Sequence, residues 1–281
     1  MRREPTARQT RLATELRRLR ETAGLNSRQA AALLGVSPAQ ITHIESALAG
    51  VSEQRLRRLA SHYACTDEEF IDALVAMASD RTRGWWEKYR GLLPTSFLDL
   101  SELDYHSRLQ RHVAIMYVPG LLQTADYARA VFSDRIPELT PEEIELRVRH
   151  RMARRAIIEG PNPIPIEIVV HEAALRIRVS DREVSQAQLG RILEVSEADH
   201  ISVRVIPFDL DSFSRAGNAM TYVSGSVPKL DTVVRDAPHG TVFIDSEAQL
   251  SAFRTLFRRV EDVSLEPERS RDFINKLAKE L

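Results

Sequence analysis

The sequence predicts a multidomain protein with an all-α first part and an α+β second part. Apolar residues recur at helical spacing in five short stretches before residue 78, whereas strand-like and helical patterns alternate afterwards. A polar segment at 79–84 separates the two patterns. We therefore predict an α-helical domain at 1–78, a linker or docking helix at 79–94, and an α+β domain with a mixed or antiparallel sheet at 95–281.

The helical domain begins with a predicted helix over residues 8–23, which ends at Gly24. Its leucines Leu12, Leu16 and Leu19 share one face. Two further helices follow the turn region, one near 53–63 and one after Thr66, where Thr66 to Glu69 has the spacing of a capping box. Trp85 and Trp86 open the next segment, where we expect a helix that docks onto the second domain.

Residues 24–46 have the pattern of a helix-turn-helix. Gly35 stands where the first helix of the pair must end, because glycine tolerates the left-handed backbone of such a stop. Ser37, Pro38 and Gln40 then predict the start of the second helix, with a capping residue, a proline at the first helical position and a capping box. The inward positions are Ala31, Leu34, Val36, Ile41 and Ile44.

This motif predicts double-stranded DNA as a partner, with the second helix entering the major groove by its N-terminal end. The candidate contacts on that helix are Ser37, Pro38, Ala39, Gln40, Thr42 and His43. Gln40 either bonds to adenine or completes the cap, and His43 either reads guanine or phosphate or is merely solvated. Ser27, Arg28 and Gln29 open the preceding helix, and we expect them to position a phosphate.

The charge is distributed unevenly along the chain. Residues 1–63 carry a net charge of +6, from eleven arginines and five glutamates, and the remainder carries −7. Most of the positive charge comes from Arg2, Arg3, Arg8, Arg11, Arg17, Arg18 and Arg20. A basic module on an acidic body is typical of a DNA-binding protein with a separate second domain.

The second part alternates predicted strands and helices. Strands are expected at 113–118, 164–170 and 201–207, and three consecutive antiparallel strands at 219–223, 232–235 and 241–244. Helices are expected at 120–132, 140–159, 182–196, 246–260 and 268–281.

A turn at 118–124 is the candidate partner or ligand site of this domain, since Pro119-Gly120 allows a sharp strand-to-helix turn whose free amides can bind an anion or a peptide carbonyl. The candidate residues are Pro119, Gly120, Leu121, Gln123, Thr124 and Tyr127. The alternative is a turn that only joins strand to helix. The next helix is rich in arginine, either as a solvated face paired with Glu142, Glu143 and Glu145 or as an anion-sensing or partner-binding patch; its basic residues are Arg147, Arg149, His150, Arg151, Arg154 and Arg155.

The sequence gives little support for catalysis, and we expect no enzyme, cofactor or metal site. The single cysteine, Cys65, excludes a multi-cysteine zinc site, and His171-Glu172 lacks the second histidine of a zinc helix. Neither a glycine-rich phosphate loop nor a Gly-x-Ser-x-Gly elbow is present. The sequence has neither a signal peptide nor an apolar run of membrane-spanning length, so we expect a cytoplasmic, nucleoid-associated protein without membrane contact.

Residues 12–77 resemble the XRE/Cro-like helix-turn-helix family, with a five-helix, lambda-repressor-like fold. The resemblance rests on 16–20, Gly24, Ala30, 34–37, Ile41, Ile44-Glu45 and Leu59-Ala60. It implies that Glu45 closes the recognition helix structurally. Residues 85–281 resemble the antitoxin-like C-terminal domain of many actinobacterial regulators, through Trp85-Trp86, 118–124, 126–130, 171–175, Gln188-Leu189 and 203–208.

These resemblances imply a transcriptional regulator, and many relatives work with a small partner protein encoded nearby. We expect a homodimer on two half-sites, because one such module makes too few contacts for high specificity. The alternative is an antitoxin-like interaction module that binds a small protein and regulates its own operon. A third hypothesis is an enzyme or a small-molecule sensor, which a deep polar pocket would favour.

Overall fold

The computed structural model describes residues 4–210, 219–237 and 240–281. The chain forms two compact units, Met1–Leu103 and Asp104–Leu281, and each is described by itself. The predicted division at 1–78, 79–94 and 95–281 stays a prediction.

The first unit contains the five predicted helices. Their bounds are α1 (Ala7–Thr22), α2 (Ser27–Leu34), α3 (Pro38–Glu45), α4 (Glu53–His62) and α5 (Glu68–Ser79). They enclose a core in which Leu16, Ile41, Leu56, Leu59 and Leu74 are almost completely buried. The helical spacing of these residues therefore produces the bundle that the sequence predicts.

The ends of these helices are fixed by local side chains. Gly35 ends α2 with a φ of 72°, as the stop signal predicts. At the start of α3 the Ser37 hydroxyl accepts from the Gln40 amide N–H, and Pro38 takes the first helical position. The capping box predicted at Ser37 and Gln40 is incomplete, whereas complete boxes lie at α1, between Thr6 and Gln9, and at α2, between Asn26 and Gln29. The predicted capping role of Thr66 is wrong, because Asp67 caps α5 by accepting from the Phe70 amide.

Two further segments complete this part of the chain. Trp85–Tyr89 forms a short 3-10 helix, and the ring of Trp86 is buried and packs edge-on against Trp85 at 6.1 Å. Both tryptophans belong to the first unit, and their docking role stays a prediction. Helix α6 (Thr95–Tyr105) was not predicted.

The second unit is built on a six-stranded mixed sheet, with the order β3-β2-β1-β4-β5-β6. The strands are β1 (Leu109–Ala114), β2 (Ile166–His171), β3 (Ile201–Ile206), β4 (Met220–Ser224), β5 (Thr232–Ala237) and β6 (Gly240–Ile244). The first three are parallel, with Gln110 opposite Ile166 and Ile166 opposite Ile201. The last three follow each other antiparallel, as predicted, and β4 also pairs antiparallel with β1.

Helices cover both faces of this sheet. They are α7 (Ala125–Ser133), α8 (Pro141–Arg154), α9 (Ala156–Glu159), α10 (Glu172–Arg176), α11 (Arg182–Val195), α12 (Glu247–Asp262) and α13 (Pro267–Glu280). Ile168 and Val170 pack in one core with α11 and α13, whereas Val169 packs in another with α12. Alternate residues of β2 thus point to opposite cores, as the strand period requires.

Three predicted boundaries are wrong. The strand expected at 113–118 runs over Leu109–Ala114, because the polar side chains at its start are buried and hydrogen-bonded. The helix expected at 120–132 is a 3-10 turn at Gly120–Leu122 followed by α7, which the Thr124 hydroxyl caps. The helix expected at 140–159 divides at Arg155 into α8 and α9, although Thr140 and Glu143 form the predicted capping box.

Candidate functional site

Helices α2 and α3 carry the predicted DNA-contacting residues, most of which are exposed. Ile41 and Ile44 face the core with exposures of 1% and 3%, and so fix the rotation of α3 about its axis. Ser27 and Gln40 are half-buried, and the other predicted residues are exposed: Arg28, Gln29, Ser37, Pro38, Ala39, Thr42 and His43.

The polar groups of α3 divide into those used inside the helix and those left for a ligand. The Thr42 hydroxyl donates to the Pro38 carbonyl over 3.1 Å, and the Ser37 hydroxyl is occupied in the cap. The side-chain amide of Gln40 makes no hydrogen bond with the described residues. The outward groups of the helix are therefore this amide, the imidazole of His43 and the small side chain of Ala39.

The start of α2 is arranged differently. The Gln29 side-chain oxygen accepts from the Asn26 amide at 2.9 Å, and the Asn26 side chain accepts from the Gln29 amide at the same distance. Arg28 is exposed and forms no ion pair with any residue that the structure describes. Its guanidinium is thus available to a phosphate, whereas one end of Gln29 is already used.

A buried ion pair holds α3 against α1. The guanidinium of Arg20 donates to both carboxylate oxygens of Glu45, over 2.7 and 2.8 Å, and to the Leu25 carbonyl. Both side chains are 8% exposed. The hydrogen bond to Glu45 raises the pKa of Arg20, and burial raises the pKa of the neighbouring Tyr63 to about 12. Glu45 therefore has the structural role that the family resemblance implied.

This pair also corrects the charge argument. Arg20 and Arg11 contribute to the positive charge of residues 1–63, but both are buried, and Arg11 pairs with Glu15 at 2.7 Å. Arg17 pairs with Glu21 on the surface. The net charge of residues 1–63 therefore overstates the cations left for a ligand, and Arg2 and Arg3 lie outside the described residues.

In the second unit, the predicted turn at 118–124 is held by its own side chains. Gln123 donates to the Val118 carbonyl over 2.7 Å, and the Val118 amide donates to the Tyr127 hydroxyl over 3.2 Å. Gln188 on α11 accepts from the Thr124 amide and donates to the Leu122 carbonyl. These bonds satisfy backbone groups of Val118, Leu122 and Thr124, on either side of the Pro119-Gly120 step.

The predicted site residues of this turn therefore have unequal access to solvent. Leu121, Gln123 and Tyr127 are buried, whereas Pro119, Gly120 and Thr124 are half-buried. Their assignment to a partner site stays a prediction. The burial shows that at least the first three also have a structural role.

The arginines of α8 converge on this same turn. Arg151 donates to the Gln123 side-chain oxygen over 2.5 Å, Arg155 donates to the Gln123 carbonyl, and Arg154 pairs with the buried Asp104 over 2.7 Å. Arg147 is buried as well. Among the basic residues predicted for this helix, Arg149 is exposed, so the solvated-face interpretation is wrong only for the others, whose side chains are buried or half-buried.

The pairing predicted for its glutamates also differs. Glu145 pairs with Arg129 of α7 over 2.5 Å, and not with an arginine of its own helix. The turn at 118–124 and the arginine-rich helix α8 thus form one structural unit.

A chain of buried polar groups continues from Asp104 into the sheet. Gln110 donates to Asp104 over 2.8 Å, so its side-chain oxygen accepts from His112, whose other ring nitrogen accepts from the Thr221 hydroxyl. Burial lowers the pKa of His112 to about 3, and the ring is therefore neutral at pH 7. Sequence patterns missed this network, because its members are far apart in the chain.

A surface cleft of about 720 Å³ lies beside α7. Its lining combines apolar residues such as Val131 and Ile177 with charged residues such as Arg129, Asp134 and Arg178. Its volume is in the range of small-molecule sites. Among the described residues, no group of three or more His, Cys, Asp or Glu side chains is placed to hold a metal ion. No helix in the described ranges has the length and apolar character needed to cross a membrane.

Two regions of the chain match known protein families. Residues 11–72 match a helix-turn-helix domain, and residues 97–276 match a domain of unknown function, DUF5753. No curated protein and no solved structure matches the chain. Since the second match covers more than half of the chain, the protein belongs to the DUF5753 family, and it carries an N-terminal helix-turn-helix domain of the kind found in DNA-binding regulators.

Proposed function

We propose that this protein is a sequence-specific DNA-binding transcriptional regulator that acts as a homodimer. The observation that carries the proposal is the exposed face of α3, whose buried side is fixed by Ile41, Ile44 and the Arg20–Glu45 pair. A rigid helix with outward polar groups next to a free phosphate-binding cation fits the major groove.

Each exposed residue has a stated role in this proposal. The Gln40 amide bonds to an adenine edge, His43 donates to guanine or to phosphate, and Ala39 and the Thr42 methyl contact thymine methyl groups. Arg28 neutralises a phosphate and so sets the position of the helix without reading sequence.

The second unit is proposed to control DNA binding through a small partner protein or ligand. Its cleft, which could hold such a partner, and its buried polar network support this proposal. A partner that favours one arrangement of the two half-sites would shift the population of dimers able to bind DNA. Binding of DNA and of the partner are then coupled, and each strengthens or weakens the other equally.

The experiment is genome-wide mapping of the DNA bound by the intact chain, including its own promoter. We expect an enriched motif with two half-sites about one helical turn, roughly 34 Å, apart. Fragments without any shared motif would contradict sequence-specific binding. A single unpaired half-site would contradict the homodimer. A pull-down that recovers a small protein in equal amount while no motif is enriched would favour the antitoxin-like alternative.

A further inference from the structure

The surface cleft of about 720 Å³ in the second unit has the position of a ligand site. One side of it is a stripe of residues at helical spacing on α7 and its C-cap: Asp126, Arg129, Ala130, Ser133 and Asp134. The rest of the lining includes Tyr117, which follows β1, and residues 177–180, which follow β2 and α10. Because β1 and β2 are parallel neighbours, these segments leave the sheet at one edge, where ligands bind in open α/β sheets.

The apolar part of the lining is anchored to the core. It consists of Ala130, Val131, Ile177, Val179 and Val184. Three of these, Val131, Val179 and Val184, also pack against the core that α11 and α13 share with the sheet. An apolar ligand would therefore meet a surface that the fold has already formed, as is usual for small-molecule sites.

Some polar groups of the lining are already used within the protein. Arg129 pairs with Asp126 of its own helix and with Glu145 of α8. The Ser133 hydroxyl donates to the Arg129 carbonyl over 2.9 Å. These groups form the wall of the cleft and leave little capacity for a charged ligand.

Two other charged residues of the lining have no such partner. Asp134 and Arg178 are exposed, and neither side chain forms an ion pair or a hydrogen bond with any described residue. Asp134 also lies at the C-cap of α7, where the helix dipole disfavours a carboxylate. Since one cleft thus contains an unpaired anion and an unpaired cation, a ligand that carries both charges compensates both residues.

We propose that this cleft binds a short apolar peptide with free ends. Asp134 accepts from its terminal ammonium, Arg178 donates to its terminal carboxylate, and its apolar side chains lie on the valines. The stripe from Asp126 to Asp134 spans about 12 Å, the length of roughly three or four extended residues. The hydroxyls of Tyr117 and Ser180, which have no described hydrogen-bond partner, are available to the peptide backbone. This inference rests on the proposed function, for which it names the class of ligand that controls the second unit.

The test is calorimetric titration of the full chain, without DNA, with an alanine–leucine–alanine tripeptide in three forms: unmodified, amidated at its C-terminus, and acetylated at its N-terminus. We expect saturable binding of the unmodified form. Each modification should weaken it about 3-fold to 10-fold, because it removes one charge-assisted bond at an exposed position.

Two variants at exposed positions assign the two ends. In Arg178→Gln the unmodified and amidated forms should bind equally, while acetylation still weakens binding. In Asp134→Asn the unmodified and acetylated forms should bind equally, while amidation still weakens binding. The matched control is Arg182→Gln, since Arg182 is an exposed cation nearby in the chain that is not part of the lining. It should behave as the wild type.

Absence of saturable binding to the wild type would overturn the proposal. Equal binding of all three forms would also overturn it, because the cleft would then take an internal segment of a partner protein. An effect of amidation without an effect of acetylation would indicate a simple carboxylate ligand and contradict the role of Asp134. If the chain binds no duplex but binds the tripeptide with the stated dependence on its ends, the proposed function is wrong and the peptide site stands.

Discussion

The two compact units place their candidate functional residues in opposite surroundings. In the first unit, the side chains proposed to contact DNA point outward, and the charged pair behind them, Arg20 and Glu45, is complete. In the second unit, Leu121, Gln123 and Tyr127 of the predicted site are buried, and the arginines near them are bonded to Gln123 and to Asp104. The helix-turn-helix motif thus lies on an exposed surface of the first unit, whereas the turn motif at 118–124 is partly buried and has a structural role in the second.

The largest expected effect is on the buried pair of the first unit. Glu45→Ala leaves Arg20 with the Leu25 carbonyl and a longer contact of 3.6 Å with the half-exposed Glu21, so we expect the free energy of unfolding to fall by about 3–5 kcal/mol. Urea unfolding followed by tryptophan fluorescence measures it, since both tryptophans lie in this unit. The control is Glu53→Ala, which breaks an exposed pair with Arg57 and should change little. Equal effects would show that the buried pair does not hold α3.

The second-largest effect concerns the stability of the second unit at acid pH. His112 has a pKa of about 3 in the folded chain, well below its ordinary value of 6.5, because it is buried. Below pH 6.5 the unfolded chain binds a proton that the folded chain does not, so stability falls by up to about 1.4 kcal/mol per pH unit.

Between pH 6.5 and pH 5 this difference amounts to about 2 kcal/mol at most. Hydrogen exchange of peptides from β1 and β2, corrected for intrinsic rates, measures the change. His112→Gln should flatten the pH dependence, whereas His62→Gln, in the first unit, should leave it as in the wild type. A steep dependence that persists in His112→Gln would assign the acid sensitivity to another group.

Helix α3 and the buried network of the second unit also show what the sequence can and cannot predict. Local signals identified the cap at Ser37, the stop at Gly35 and the buried side of α3, because each depends on neighbours within one or two turns. The network through Asp104, Gln110 and His112 depends on strands that meet only in the folded sheet. Hydropathy therefore placed β1 a few residues too late, at the apolar end of the strand.

The convergence of α8 on the turn at Gln123 escaped prediction for a similar reason. A run of arginines and glutamates is typical of a solvated helix, and the spacing alone does not show that Arg151 stacks on Phe132 or that Glu145 pairs with Arg129. The contacts of a charged residue with distant segments decide its role, whereas its own helix supplies only the spacing.

A smaller effect, on the affinity for DNA, is expected from the exposed Arg28. Arg28→Ala should weaken binding to every duplex about threefold to tenfold at low salt, and lower the slope of log affinity against log salt by about one, because one phosphate contact is lost. Fluorescence anisotropy with specific and random duplexes measures both quantities. The control is Arg258→Ala, an equal change of charge at an exposed site of the second unit. A loss confined to the specific duplex would contradict the positioning role of Arg28.

The central claim is that the exposed face of α3 reads base sequence. Selection of bound duplexes from a random pool, with the wild type and with His43→Ala side by side, tests it most directly. The account predicts one enriched motif for the wild type and, for the variant, a relaxed preference at one position in each half-site, worth about 1 kcal/mol or more of discrimination. No enrichment for the wild type would contradict the claim, and an identical motif for both chains would contradict base reading by His43.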